Sequence, residues 1–297
     1  MELDTLNKYM LHPEDYMKET DENYQNQLEK IARDIYDNRF EKPIILLSGP
    51  SGSGKTTTAQ KIEAYLDSWG VETHTMSMDN WFRSLTEEEK ELKKQGLMDL
   101  ESPNQVDHEL LTKHLMQMIR MEEVQLPTFD FLTSSRVKET RPFVRKPGEL
   151  IIMEGIHTLN PDVVSLPKER TWRIYVSVES SYTYEGKTLE GPMIRLIRRM
   201  SRDQLHRGRT PEETNMMYDS VQNGEIRYIA PYKGTSDITL DSLMPYELCV
   251  YKDVLKELAE SDDPRMEEIR WWLSKVEPLD RKYMTEQSLI WEFVSKE

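Results

Sequence analysis

One octapeptide in this chain has the composition needed to hold phosphate. Gly49-Pro50-Ser51-Gly52-Ser53-Gly54-Lys55-Thr56 fits the pattern G-x-x-x-x-G-K-[S/T]. Its glycines let backbone N–H groups turn toward an anion with no Cβ in the way. The pattern requires a buried strand before it and a helix after it, whose N-terminus adds partial positive charge. The apolar run Ile44-Ile45-Leu46-Leu47 precedes it, and a helix is expected from Lys55 to Ser68, closed by Gly70. Such a loop, a P-loop, binds ATP with Mg²⁺. Gly49, Ser51, Gly52, Ser53, Gly54 and Thr57 are expected to contact the nucleotide phosphates. Lys55 is expected to reach the β and γ phosphates, and the Thr56 hydroxyl to hold the metal.

Two carboxylates stand where such a loop could use them. Asp79 follows a short strand expected over His74–Ser77, and strand C-terminal ends face the ligand crevice of open α/β sheets. It could accept a proton from an acceptor hydroxyl and help hold Mg²⁺. Glu154 ends the apolar run Leu150-Ile151-Ile152-Met153, a position suited to a metal contact through water. Read alone, either could be an ordinary turn or strand-end charge.

Arg195, Arg198, Arg199, Arg202, Arg207 and Arg209 crowd together in an otherwise acidic chain. Spacings of three and four place the first four on overlapping helix faces. The guanidinium fork suits phosphate, so the cluster reads as a ligand-closed lid with Arg207-Gly208-Arg209 at its tip. Arg202 and Arg207 are expected on ATP, and Arg199 and Arg202 to act with Lys55 and Asp79 in catalysis. The bland alternative is a solvated basic face that pairs with acidic neighbours, whereas the arginines of a lid repel one another until phosphate arrives. No aromatics interleave with these arginines as in a nucleic-acid surface. A guanine-reading Asn-Lys-x-Asp is missing too, since Asn104-Gln105-Val106-Asp107 lacks the lysine. His74, His108, His114, His157 and His206 show no metal-ligand spacing.

These residues need a frame. Strands are expected at 44–47, 74–77, 150–153, 173–176 and 238–240, with helices at 22–39, 55–68, 107–121 and 192–206 between or before them. This alternation implies an α/β fold, a P-loop NTPase-type parallel sheet with helices on both faces. Residues 123–146 break the rhythm and read as an inserted β-hairpin carrying Phe129, Phe131 and Phe143. Residues 1–20 show no periodicity and read as loosely ordered. The expected organisation is an N-terminal extension with an amphipathic helix over 1–40, a P-loop domain over 41–255 and a helical extension over 256–297 packed on the same domain. In the last, Met266, Ile269, Leu273 and Val276 recur at helical spacing.

Composition sets the limits. The 297 residues are 37% hydrophobic, enough for a sizeable core, and carry a net charge of −15. A diffusely acidic surface disfavours nucleic acid and anionic membrane as partners. The single cysteine, Cys249, permits no intrachain disulfide. The acidic start, Met1 to Tyr16, lacks a signal-peptide core, so a soluble cytoplasmic protein is expected. Self-association is compatible with all of this.

Taken in order, the P-loop, Met78-Asp79-Asn80-Trp81-Phe82, the Phe129-Asp130-Phe131 hairpin, Met153-Glu154-Gly155, the arginine cluster and Pro231-Tyr232-Lys233…Ser236-Asp237 resemble the uridine kinase and phosphoribulokinase family. The likeness covers roughly residues 40 to 255. It is closer still to bacterial uridine kinase-like nucleoside kinases, without the TGS domain that some of them carry. Gly155-Ile156-His157-Thr158-Leu159-Asn160-Pro161, Pro245-Tyr246-Glu247-Leu248 and Ser288-Leu289-Ile290-Trp291-Glu292-Phe293 look like signatures of that group. The resemblance implies that Asp79 is the base toward a ribose 5′-hydroxyl and that Phe82 lies beside the nucleoside. It further implies that Glu101 and Arg199 grip the ribose while Phe129 and Phe131 sandwich the base. Ser134 stands where well-known uridine kinases have a pyrimidine-reading histidine, and Glu101 and Phe82 replace Asp and Tyr. Each exchange alters hydrogen bonding near the nucleoside.

The leading expectation is therefore transfer from ATP to the 5′-hydroxyl of uridine or cytidine. A kinase of another small hydroxyl compound, such as a sugar phosphate, and a nucleotide-binding regulator without turnover are the competing readings. The retained Lys55, Asp79, Glu154 and arginine set disfavours the regulator.

Overall fold

The structure is a computed structural model that describes residues 1–255 and 262–296. In chain order the helices and strands are α1 (Leu3–Tyr9), α2 (Pro13–Asp37), β1 (Ile44–Ser48), α3 (Lys55–Ser68), β2 (Thr73–Ser77), α4 (Glu87–Lys94) and α5 (His108–Ile119). Four short strands follow, β3 (Val124–Leu126), β4 (Phe129–Asp130), β5 (Ser135–Arg136) and β6 (Arg141–Phe143). Then come β7 (Leu150–Glu154), β8 (Thr171–Ser177), β9 (Tyr182–Tyr184), β10 (Lys187–Leu189), α6 (Gly191–Arg207), α7 (Pro211–Gly224), β11 (Ile238–Asp241), α8 (Glu247–Val254) and α9 (Pro264–Ser274).

The five expected strands form one parallel sheet in the order β11-β8-β1-β7-β2. β1 lies at its centre and is buried along its whole length. Successive side chains of a strand point to opposite faces, so β1 feeds two cores. Ile45 and Leu47 join α2, α3, α6, α8 and α9 on one side. Ile44 and Leu46 join Trp81, Leu111, Leu115 and Met118 on the other. This is why β1 reads as an uninterrupted apolar run. The C-terminal ends of β1, β2 and β7 all open on the same edge, bringing Leu47, Ser77 and Glu154 level, with Ser48 one residue beyond.

The inserted hairpin forms as two stacked ladders, β3 with β6 and β4 with β5, all antiparallel. A second hairpin, β9–β10, has no forecast in the sequence. The N-terminal residues differ from their sequence reading. α1 and the first eight residues of α2 occupy positions read as loosely ordered, and α2 starts at Pro13, not near residue 22. Their order comes from distant partners. Leu3, Leu6 and Met17 are fully buried, the Met1 amine donates to the Ser181 carbonyl at 2.6 Å, and Asn7 Nδ2 donates to the Lys275 carbonyl at 2.8 Å. A periodicity search cannot see such long-range contacts. Helical spacing in the C-terminal region is realised as α9. Residues 256–261, the start of the expected C-terminal extension, lie outside the described residues, as does residue 297. Among the described residues no helix is long and apolar enough to cross a membrane.

Candidate active site

The phosphate loop turns between β1 and α3. Gly54 is the N-cap of α3 at φ +82°, in the left-handed region open to glycine, and a Cβ there would meet Leu289 Cδ1 at 2.9 Å. Four arginines of α6 grip the loop. Arg195 Nη1 donates to the Ser51 carbonyl at 3.3 Å and Arg198 Nη1 to the Gly52 carbonyl at 3.1 Å. Arg199 Nη1 and Arg202 Nη2 donate to Ser51 Oγ at 2.8 and 3.4 Å. Lys55 Nζ turns back on the Pro50 carbonyl at 3.1 Å. Burial lowers the Lys55 pKa, with the Glu154 charge acting against it.

The six arginines do not act as one basic face. Arg195 is buried against Glu225 at 2.7 Å, and Arg198 is buried against Glu247 at 2.7 Å. These two are committed to the scaffold. Arg207 and Arg209 are tied to the fully buried Asp203 at 2.7 and 3.4 Å. Carboxylates from α6, α8 and the turn after α7 thus offset the self-repulsion expected from the sequence. Arg199 and Arg202 remain turned toward the loop.

A cavity of about 730 Å³ spreads from this loop. Ser51, Gly52, Gly54, Lys55 and Thr56 form its floor, and Arg199, Arg202, Arg207 and Arg209 one wall. Asp79, Glu101, Phe82, Phe129 and Phe131 form the opposite wall. Gly49, Ser53, Thr57 and Glu154 do not line it. Gly49 and Ser53 are buried in the turn, Glu154 is buried at the end of β7, and Thr57 faces a neighbouring groove.

Asp79 sits in a tight turn after β2, where the Ser77 hydroxyl accepts the Asp79 amide at 3.4 Å. Burial and then the Glu154 charge push its carboxyl up to about 6, with Lys55 opposing. Glu154 is likewise pushed up by burial and pulled down by Lys55. Two buried carboxylates, one raised by the charge of the other, beside a hydroxyl-bearing helix terminus have the donor set of a hard cation. Glu101 is raised by burial and opposed by Arg199. Its backbone is held from behind, since His157 Nε2 donates to the Glu101 carbonyl at 2.9 Å. Gly224 at the end of α7 leaves it room. A Cβ there would fall 2.2 Å from Glu101 Cβ.

The aromatic wall differs from the expected sandwich. Phe129 and Phe131 touch edge to face, centroids 5.2 Å apart and planes at 77°, and Phe82 meets both rings in the same manner. Rings in direct contact leave no slot between them. They bury one another's edges and give the cavity a continuous apolar wall. Sequence reasoning missed Lys93, Arg83 and Glu292, all on the cavity. Lys93 Nζ donates to Ser134 Oγ at 2.7 Å, a pairing with no local spacing signal. His74 was read without metal-ligand spacing. The fold brings it within 4.8 Å of Glu72 and Glu149, at the starts of β2 and β7, away from this cavity.

Comparison with known proteins agrees with this architecture. The Phosphoribulokinase / Uridine kinase family matches residues 44–248. A uridine kinase of Lactobacillus helveticus is 30% identical over 218 residues, covering 69% of this chain and 94% of its own. One from Borrelia garinii is 30% identical over 198 residues, covering 66% and 85%. A solved kinase structure from Silicibacter sp. TM1040, named for a fructose transport system, superposes with a TM-score of 0.52 at 19% identity. It covers 72% of this chain and 98% of its own, a likeness of fold alone. With a phosphate loop, a carboxylate opposite it and this family match over most of its length, the chain belongs to the phosphoribulokinase / uridine kinase family and is an ATP-dependent phosphotransferase with a hydroxyl acceptor.

Proposed function

We propose that this chain is a nucleoside kinase that transfers the γ-phosphate of ATP to the 5′-hydroxyl of uridine or cytidine. One observation carries the reading. Asp79, Glu101 and Arg199 share a cavity with the Phe82, Phe129 and Phe131 cluster, so hydrogen-bonding groups suited to a ribose stand next to an apolar wall suited to a base. Uridine kinases among the relatives agree with it.

In this reading Asp79 orients the 5′-hydroxyl and accepts its proton late in the transfer. Lys55, Arg199 and Arg202 neutralise charge on the transferring group, and Glu101 with Arg199 holds the ribose. Thr56, Asp79 and Glu154 would hold Mg²⁺, which supplies charge neutralisation on the triphosphate. Positioning and electrostatics account for most of the catalysis, since phosphoryl transfer asks little covalent chemistry of the protein.

A sugar phosphate acceptor is the second reading. Lys93, Arg83 and Arg209 face the same cavity and would suit an anionic acceptor. A coupled assay of ADP release with uridine, cytidine and a panel of sugar phosphates decides between them. Turnover with a nucleoside is expected. Turnover with a sugar phosphate alone overturns the nucleoside reading, and binding of ATP with no turnover on any acceptor favours a regulator.

A further inference from the structure

The chain beyond the family-matched residues returns to the phosphate loop and places a carboxylate on it. Ser288 caps a short turn, Leu289–Glu292, by accepting the Ile290 amide at 3.1 Å. Leu289, Ile290 and Phe293 around that turn are fully buried. Leu289 packs against Gly54, and Ser201 Oγ on α6 donates to the Phe293 carbonyl at 2.6 Å. The backbone of this segment is therefore held against the loop, and the partly exposed Glu292 side chain extends from it.

Glu292 Oε2 accepts from Thr57 Oγ1 at 2.6 Å and from the Thr57 amide at 3.4 Å. Its Oε1 faces Arg202 Nη1 at 3.5 Å. The Thr57 amide belongs to the first turn of α3, where N–H groups have no carbonyl partner within the helix. Such amides are the ones a phosphate-binding loop offers to the phosphate nearest the nucleoside. Each donor that Glu292 occupies is thus one that a nucleotide donor would claim. The pair is partly buried, with the two side chains 20% and 15% exposed, so solvent screens it incompletely. Glu292 already borders a groove of about 610 Å³, where Lys61 and Lys296 outnumber the one further carboxylate, Glu286, so a displaced carboxylate has room there.

We propose that Glu292 is a built-in anion that stands in for the donor's phosphate nearest the nucleoside and must swing into this groove when ATP binds. Glu292 thereby sets donor affinity, as a charge the fold keeps on its own phosphate site. This inference rests on the reading of the cavity as an ATP site.

Glu292→Gln keeps the shape and an oxygen acceptor for Thr57 while removing the charge. The test is calorimetric titration of wild type, Glu292→Gln and Glu292→Ala with the non-hydrolysable analogue adenylyl imidodiphosphate and Mg²⁺, each protein first shown to be folded by its melting curve. Both variants are expected to bind the analogue about fivefold more tightly, the size of a partly screened charge interaction. Loss of a merely structural contact does not tighten a ligand. Equal or weaker binding in both variants overturns the proposal while leaving the ATP site intact. No binding to any of the three folded proteins overturns the ATP-site reading and the proposal with it.

Discussion

Arg198 and Glu247 form an ion pair in which neither side chain has any solvent exposure, with Nε to Oε2 at 2.7 Å and Nη2 to Oε1 at 2.8 Å. The same guanidinium donates to the Gly52 carbonyl at 3.1 Å and the Ser242 carbonyl at 2.6 Å. It therefore joins α6, the phosphate loop, the end of β11 and the start of α8. Removing one partner strands the other charge in the core. Arg198→Met is expected to cost about 3–5 kcal/mol in urea denaturation, and Arg198→Met with Glu247→Leu substantially less. A single variant as stable as the double would show that the pair is not coupled.

Burial disfavours the charged form of Lys55 in the ligand-free protein, so Lys55 is not there to stabilise the fold. Lys55→Ala is expected to lower turnover by orders of magnitude while leaving the ligand-free melting temperature near wild type. Coupled-assay kcat beside a thermal melt checks this. A large fall in melting temperature with activity retained would assign Lys55 to folding.

Asp79→Asn keeps the shape of the side chain and removes its charge. At saturating Mg²⁺, kcat is expected to fall on the order of a hundredfold, the usual contribution of a general base. ATP affinity should change far less, because loop amides and cations supply the phosphate contacts. Near wild-type kcat would make Asp79 a turn residue only.

His157 gives a pH signature to stability. It is buried, and that burial pushes its imidazole from 6.5 down to about 4 despite the hydrogen bond to the Glu101 carbonyl. The unfolded chain takes up this proton near 6.5 and the native chain only near 4, so between those values the unfolded state binds more protons. The stabilisation is complete above pH 6.5 and lost as pH falls toward 4, a difference of about 3 kcal/mol at roughly 1.4 kcal/mol per pH unit. His157→Gln, which keeps a donor for Glu101, should flatten that part of a stability-versus-pH curve. An unchanged slope would place the acid sensitivity elsewhere.

The sheet was legible in the sequence because its central strands are buried on both faces. β1 and β7 must then be continuous apolar runs, and those runs are visible without a partner. The phosphate loop was legible for a related reason, since its glycines, lysine and threonine act through local backbone geometry. Asp79 and Glu154 could be placed near it because both end strands of one parallel sheet. The order at residues 1–20 was not legible, because it depends on Ser181 and Lys275, far along the chain.

By itself, then, the sequence determined a phosphate-binding α/β frame and the family to which it belongs, because both rest on short-range periodicity and motif spacing. The tertiary structure alone decided how the arginines divide. Helical spacing along α6 makes Arg195, Arg198, Arg199 and Arg202 look alike, and only the closeness of their carboxylate partners separates them, 2.7 Å for the first two against 3.7 and 3.5 Å for Arg199 and Arg202. Glu225 and Glu247 neutralise the first two within the protein, while Arg199 and Arg202 stay at the phosphate loop. Glu292 shows the same limit from the other side. Its sequence signature marks Glu292 without giving it a role, and it reaches Thr57 only because Leu289 and Phe293 bury the turn that holds it.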